Sequence, residues 1–348
     1  MTRTHVRPHN TLPSLLAAIS CALPVVALAL DTGRTDVQVF VDELVEQHGF
    51  ERPWLEATLR DGEKKQKILD AISRPAEKTL AWHEYRKIFV TPKRIDAGVE
   101  FWREHGERLD RIAADTGVPP EIMAAIVGVE TYYGRLTGGF RVLDALATLG
   151  FDYPPRAKFF RGELKEFFLL TREEQLTMDD VVGSYAGAMG PPQFIPSSYR
   201  AYAVDGDGDG RRDLLGNWDD ILASVANYFV EHGWRSGEPV AVRSVVDDPQ
   251  RFPVGKNKLA LKHTVGSLAA EGVHFETQLD ESAPTQLFGF EGDDGDEYWV
   301  GFKNFYVITR YNRSAMYAMA VYQLADALAT AKAEAAATTA GTAPTGAR

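Results

Sequence analysis

The sequence predicts a mainly α protein of the α+β class, a helical body carrying a small β subdomain late in the chain. Three observations predict it. Apolar residues recur at helical spacing across 37–89, where Phe40, Leu44 and Phe50 and then Leu55, Leu59 and Ile68 form amphipathic faces. Stretches 94–116, 143–149, 159–171 and 219–232 carry the helical pattern through the centre of the chain. After Gly233-Trp234 the pattern changes to short β-like runs, 240–246 and 285–290, separated by proline, glycine and aspartate. With 348 residues, 45% of them hydrophobic, the chain can bury a large core and exceeds what one typical domain needs, so one elaborated domain or two fused ones are expected.

Residues 1–29 read as an export signal. Arg3, His5 and Arg7 give a positive start, residues 12–29 are mostly apolar, and Ala27-Leu28-Ala29 offers small residues at the cleavage positions. A mature chain beginning near Leu30, exported to the periplasm or cell envelope, is expected; an uncleaved anchor helix is the alternative. Cys21 is the only cysteine, so the mature chain carries no thiol, disulfide or cysteine-ligated metal. A lipid on Cys21, preceded by Ala18-Ile19-Ser20, is disfavoured because the apolar run continues past it to Leu30. Losing Arg3 and Arg7 without any acid takes the formal charge from −11 to −13, which argues against nucleic acid or anionic lipid as a partner.

Residues 30–110 are expected to form a helical flanking domain, broken at Thr91-Pro92, and 111–234 the core. Residues 235–300 read as the β subdomain, with one helix at 259–271. Residues 301–328 return as an apolar run and a helix from Ala315 that carries Tyr317, Val321 and Leu324 and docks on the core. The end, 329–348, is alanine, threonine and glycine with almost no large side chains, and reads as a disordered tail.

The chemistry concentrates in four motifs. Glu130 ends an otherwise apolar helix, Pro119-Pro-Glu-Ile-Met-Ala-Ala-Ile-Val-Gly-Val-Glu-Thr-Tyr-Tyr-Gly-Arg135, for which the prolines suit the first turn and Gly134 the stop. Loss of water beside Ile126, Val127 and Val129 and the negative end of the helix both favour a protonated carboxyl, as a general acid requires. Met123, Val127 and Glu130 share one stripe. A packing carboxylate held by an arginine is the competing reading. The second motif, Gly183-Ser-Tyr-Ala-Gly-Ala-Met-Gly-Pro-Pro-Gln-Phe-Ile-Pro-Ser-Ser-Tyr199, lets backbone approach a ligand while Ser184, Gln193 and Tyr199 offer hydrogen bonds. Third, Asp205-Gly-Asp-Gly-Asp-Gly-Arg-Arg-Asp213 opens like an EF-hand calcium loop, with Gly216 where the twelfth-position glutamate would stand and Asp219 or Asp220 placed to close the site. A structural Ca2+ is expected there, against a merely solvated acidic turn. Fourth, 304–317 places Tyr311, Asn312 and Tyr317 at the start of a helix, where rings and amides suit sugar faces and N-acetyl groups. His83, His105, His232, His263 and His274 lack partners at metal-ligand spacing.

Together, Val127-Gly-Val-Glu-Thr-Tyr-Tyr-Gly-Arg, Leu143-Asp-Ala-Leu-Ala-Thr-Leu, the Gly183 to Tyr199 motif and Phe305-Tyr-Val-Ile-Thr-Arg-Tyr-Asn resemble the lytic murein transglycosylases of the membrane-bound B type, of the lysozyme-like superfamily. The resemblance runs in unbroken order over 37–328. It implies a lysozyme-like catalytic core with a helical flanking domain, a small β domain and an EF-hand-like loop. It implies that Glu130 is the single catalytic acid and base, with no catalytic cofactor, and that Tyr85, Arg156, Ser184, Gln193, Tyr228, Tyr311, Asn312 and Tyr317 line a saccharide groove. Asp205, Asp207, Asp209, the Arg211 carbonyl and Asp220 match its calcium site. The implied substrate is the glycan strand of peptidoglycan, cut between N-acetylmuramic acid and N-acetylglucosamine with a 1,6-anhydro product. Other cell-wall enzymes are candidate partners of an expected monomer. Pro191-Pro192 departs from a more flexible pair in some relatives. The rival readings are a hydrolytic muramidase using a second carboxylate, Asp144 or Asp152, and a non-catalytic murein-binding protein.

Overall fold

The computed structural model describes residues 28–73 and 80–341; the segment 1–27, with Cys21 and most of the export signal, lies outside the described residues. The first part is helical. α1 (Thr35–His48) stops at Gly49, whose left-handed conformation lets its N–H reach the Leu44 and Val45 carbonyls. α2 (Arg52–Asp61) follows, and then β2 (Glu63–Lys64) pairs antiparallel with β1 (Leu28–Ala29). After α3 (Gln66–Ile72) and α4 (Trp82–Phe89), Thr91-Pro92 proves to be a helix start: Thr91 accepts the Arg94 N–H and Pro92 occupies the first turn of α5 (Pro92–Thr116).

The core is built on α6 (Pro120–Thr131), buried at every position from Ile122 to Val129 and packed between α5 and the last helix. A helix apolar all round must be enclosed. β3 (Phe140–Arg141), α7 (Val142–Asp152), α8 (Ala157–Glu173) and β4 (Val182–Gly183) follow, with β3 and β4 paired antiparallel. α9 (Pro196–Tyr202) occupies what the sequence presents as ligand-binding loop, its proline serving as first helical residue. α10 (Trp218–Glu231) completes this part.

The β unit is an antiparallel five-stranded sheet. Its strands are β5 (Ala241–Val246), β6 (His263–Thr264), β7 (Val273–His274), β8 (Pro284–Gly292) and β9 (Gly295–Gly301), in the order β6-β8-β9-β5-β7. Strand β9 went unread in the sequence because the Asp- and Gly-rich run 291–296 hid a hairpin turn. The expected helix at 259–271 shrinks to α11 (Val265–Ala270), since His263 and Thr264 are held in the sheet by β8. Val246, Leu268, Val273, Tyr298, Val300 and Phe302 form a core of the unit's own. Phe288 and Phe290 belong instead to the main core, where Phe288 meets Phe305 at 4.5 Å and Phe290 meets Trp82 at 5.2 Å.

α12 (Lys303–Tyr311) and α13 (Ala315–Gly341) return to the helical body. Asn304, fully buried, fixes the return by bonding the Arg235 N–H and the Arg235 and Glu238 carbonyls. The reading of 329–348 as a disordered tail is corrected over 329–341, where α13 continues. Alanine has the highest helix propensity, so the run extends without large side chains; residues 342–348 lie outside the described residues. Among the described residues no single helix is long and apolar enough to cross a membrane.

Candidate active site

The position of Glu130 follows from how α6 ends. The helix stops at Thr131, earlier than Gly134 suggested, because Tyr132 and Tyr133 both take left-handed φ values of 52° and 60° before Gly134 at 79°. Such a conformation costs about 1–2 kcal/mol for a side-chain-bearing residue. Three contacts offset it. The Tyr132 hydroxyl donates to the Lys93 carbonyl at 3.1 Å, the Tyr133 hydroxyl to that of Arg94 at 3.0 Å, and the Arg94 guanidinium donates to the Gly128 carbonyl. Arg94 lies over the Tyr132 ring at 4.9 Å. Thr131 Oγ1 donates to the Pro191 carbonyl at 2.9 Å and accepts the Gly134 N–H, joining the helix end to the Gly-Pro-Pro segment.

Glu130, on the last turn and partly buried, accepts a 2.6 Å hydrogen bond at Oε1 from the Tyr317 hydroxyl. Tyr317 stands in the first turn of α13, its own N–H bonded to Ser314 Oγ. Tyr311 is the last residue of α12, so the tyrosines and Asn312 occupy a helix-to-helix joint rather than one helix start. Burial, then the nearby Glu130 carboxyl, push both the Tyr311 and Tyr317 phenols well above their ordinary range. Both therefore stay protonated donors at neutral pH. Tyr85 adds to the push on Tyr317, and its ring lies 5.1 Å from that of Phe89.

The Pro191-Pro192 pair acts through its carbonyls: Thr131 uses the first, and the Tyr311 hydroxyl donates to the second at 2.6 Å. Tyr311 then meets Tyr228 at 4.9 Å and Phe194 at 5.8 Å. Tyr228, whose hydroxyl donates to the Arg310 carbonyl at 2.6 Å, stacks on His232, and burial pushes its phenol up to about 12. Ser184 Oγ accepts the Ala186 and Ala188 N–H groups. Gln193, left-handed at φ 52°, spends its amide N–H groups on the Thr137 and Gly190 carbonyls, so its Oε1 is the end free to accept. Arg156 stands apart. It lies over Phe159 and Phe160 and lines a separate cavity with Glu163 and Ser197. Sequence reasoning passed over Phe194 and Arg94; the aromatic after Gly-Pro-Pro-Gln was a usable signal for the first, and nothing local marked the second.

Neither alternative second carboxylate serves this centre. Asp144, buried, accepts the Glu63 N–H at 2.9 Å and lies between Arg141 and Lys65, bracing β2. Asp152 pairs with Arg34 at 2.9 Å.

The acidic loop gathers as the spacing implied. Asp205, Asp207 and Asp209 each bring a carboxylate oxygen within 4.8 Å of the others, a donor set of hard oxygens suited to a hard cation. Asp205 accepts the Gly208, Asp209 and Gly210 N–H groups, and these bonds, Gly210 foremost, hold its carboxyl below the usual range. Asp209 accepts the Arg211 N–H. Of the two closing candidates, Asp219 is turned away and paired with Arg108 and Arg111 at 2.7 and 2.5 Å. Asp220, fully buried, faces the loop and accepts the Gly206 and Asp213 N–H groups. Burial raises the Asp220 carboxyl, and Asp207 and Asp205 add to the push.

Residues 32–326 match the Transglycosylase SLT domain family. The chain is 43% identical over 308 residues to the membrane-bound lytic murein transglycosylase B of Escherichia coli K12, covering 85% of this chain and 83% of that protein. The crystal structure of the soluble lytic transglycosylase SltB1 from Pseudomonas aeruginosa superposes with a TM-score of 0.81 at 52% identity, over 85% of this chain and 98% of the other. The Escherichia coli lytic transglycosylase Slt35, solved in complex with calcium, superposes at 0.80 and 42% identity, over 88% and 97%. With the domain family spanning nearly all of the described body and these relatives agreeing in sequence and fold, the chain belongs to the lytic murein transglycosylases of the B type.

Proposed function

We propose that the protein cuts the β-1,4 bond between N-acetylmuramic acid and N-acetylglucosamine in peptidoglycan without water, leaving 1,6-anhydromuramoyl ends. The observation that carries this reading is the Glu130–Tyr317 hydrogen bond in a centre to which Asp144 and Asp152 contribute nothing. One carboxyl suffices when acid becomes base. Glu130 gives its proton to the glycosidic oxygen, the bond from the muramoyl anomeric carbon to that oxygen breaks, and the substrate's own acetamido oxygen eases the developing positive charge. The carboxylate then takes the proton from the muramoyl 6-hydroxyl as that oxygen closes on the anomeric carbon. Glu130 ends as it began. The Tyr317 hydroxyl, donating to Oε1, holds the carboxyl in place through both transfers. Ring closure within one sugar supplies the proximity that a loose water lacks.

Around this centre, Tyr85, Ser184, Gln193, Tyr311 and Asn312 line the groove in our reading, with Tyr228 a layer behind Tyr311. The hydroxyl protons of Tyr311 and Tyr228 are already spent on carbonyls, so these residues offer substrate their rings and an acceptor oxygen rather than a donor. Arg156 would meet substrate only away from the scissile bond. Asp205, Asp207, Asp209, the Arg211 carbonyl and Asp220 are the proposed holders of a structural Ca2+, whose chemistry is to neutralise the loop's carboxylates. Export to the envelope, where the substrate lies, completes the reading; a lipid on Cys21 forms no part of it.

The test is digestion of purified murein followed by mass spectrometry of the sugar ends. Anhydro ends, one water lighter than reducing ends, are expected, and Glu130→Gln should release none while folding normally. Reducing ends from the native chain, or normal turnover by the variant, would sink the proposal.

A further inference from the structure

We propose that the cavity walled by Trp82, Glu84, Asn257, Leu259, Glu291 and Arg313 takes the peptide branch of the muramic acid, which makes it a specificity site for peptide-bearing strands. This rests on the function proposed above. Along the chain, the cavity wall adjoins the residues of the catalytic centre. Arg313 directly follows Asn312, and Ser314, Ala315 and Met316, which also line it, lead straight into Tyr317 and so to Glu130. Three parts of the fold meet there: α4 on one side, the joint between α12 and α13 on another, and the β unit on the third.

The charge pattern names the ligand. Arg313 is exposed and forms no ion pair among the described residues. Glu84 and Glu291 are likewise exposed, and Glu84 uses Oε2 on the Ala81 N–H at 3.0 Å. Asn257 spends its amide on the Gly289 N–H and carbonyl at 2.9 and 3.0 Å, so that wall is fixed in place. Hydroxyl and acetamido groups of a sugar can hydrogen-bond these side chains, but they offer no ammonium to pair with the two anions. The peptide branch carries free carboxylates and, on its diamino acid, a free ammonium group. Arg313 meets the first and the two glutamates the second, across a cavity whose half-buried Leu259 accepts the aliphatic parts.

The experiment compares the full chain on intact murein and on the same murein stripped of its peptides by an amidase, scoring anhydro ends on each. Arg313→Glu should lower the ratio of kcat/KM on intact over stripped material by about tenfold, as loss of a charge-assisted pair does, and Arg313→Lys should restore most of it. An equal change on both substrates, or none on either, would overturn the peptide site. A native chain that makes anhydro ends from neither substrate would instead overturn the parent reading, and this one with it.

Discussion

Tyr317 is a donor that cannot lose its proton in use, because burial and the adjoining carboxyl both oppose the phenolate. Replacing it by phenylalanine keeps the packing and deletes one hydrogen bond to Glu130. Such bonds to ionised groups are worth about 1.5–3 kcal/mol, so Tyr317→Phe should lower kcat by about 10- to 100-fold and leave KM within a few-fold. Steady-state rates on murein fragments check it; a change confined to KM would point to substrate contact instead. At this scale the sequence was informative about one partner only. Glu130 stood out as an acid at the end of an apolar helix, whereas its pairing with a residue 187 positions later is a product of tertiary packing that no local pattern encodes. The acidic loop lay at the other extreme. Its ligand-type spacing was local, yet choosing Asp220 over Asp219 required knowing that Arg108 and Arg111 draw Asp219 away.

At the scale of elements, the end of α6 depends on two glycines that face one ring. A Cβ on Gly128 would come within 2.8 Å of the Tyr133 ring, and one on Gly98 of α5 would collide with both the Tyr133 hydroxyl and Leu328 of α13. Gly98→Ala should therefore destabilise by about 1–3 kcal/mol despite alanine's better helix propensity. Chemical denaturation measures this, and a stabilised variant would show that the three helices can part without cost. The acidic loop yields a second expectation. If it holds Ca2+, calcium at about a hundredfold over its Kd should add roughly 2.7 kcal/mol to stability, and Asp209→Ala should remove the gain. Calorimetry with and without a chelator reads both outcomes. Helix positions were the most legible part of the chain, since their periodicity is a local consequence of which face is buried. Boundaries were less so. α6 stops at Thr131 because hydroxyl bonds donated to the Lys93 and Arg94 carbonyls hold two tyrosines left-handed, and the helix at 259–271 lost its first half to a strand partner.

For the whole molecule, the buried phenols set an alkaline limit. Tyr133, Tyr199, Tyr228, Tyr311 and Tyr317 are all raised by burial, Tyr228 to about 12. In the unfolded chain they titrate near about 10. The unfolded state then binds fewer protons than the native one, so the stability contributed below pH 10 is lost as pH rises toward the folded values, by about 1.4 kcal/mol per pH unit for each phenol. The melting temperature should fall steeply between about pH 10 and 11, and a flat profile there would contradict the burial of these groups. The α-with-small-β plan was legible from patterning alone, but not the way the sheet divides its loyalties, with Phe288 and Phe290 committed to the helical body and Val300 and Phe302 to the sheet's own core. The Trp82 indole, which donates to Glu297 of β9 at 2.5 Å, adds a polar tie between the two.

The acid and its donor stand 187 positions apart along the chain, and that separation has a consequence in time. A ribosome that has released Glu130 has still to make the helix that brings Tyr317. Until α13 docks, the wall-cutting carboxyl lacks its anchor, so a truncated or half-made chain is a blade without a hinge.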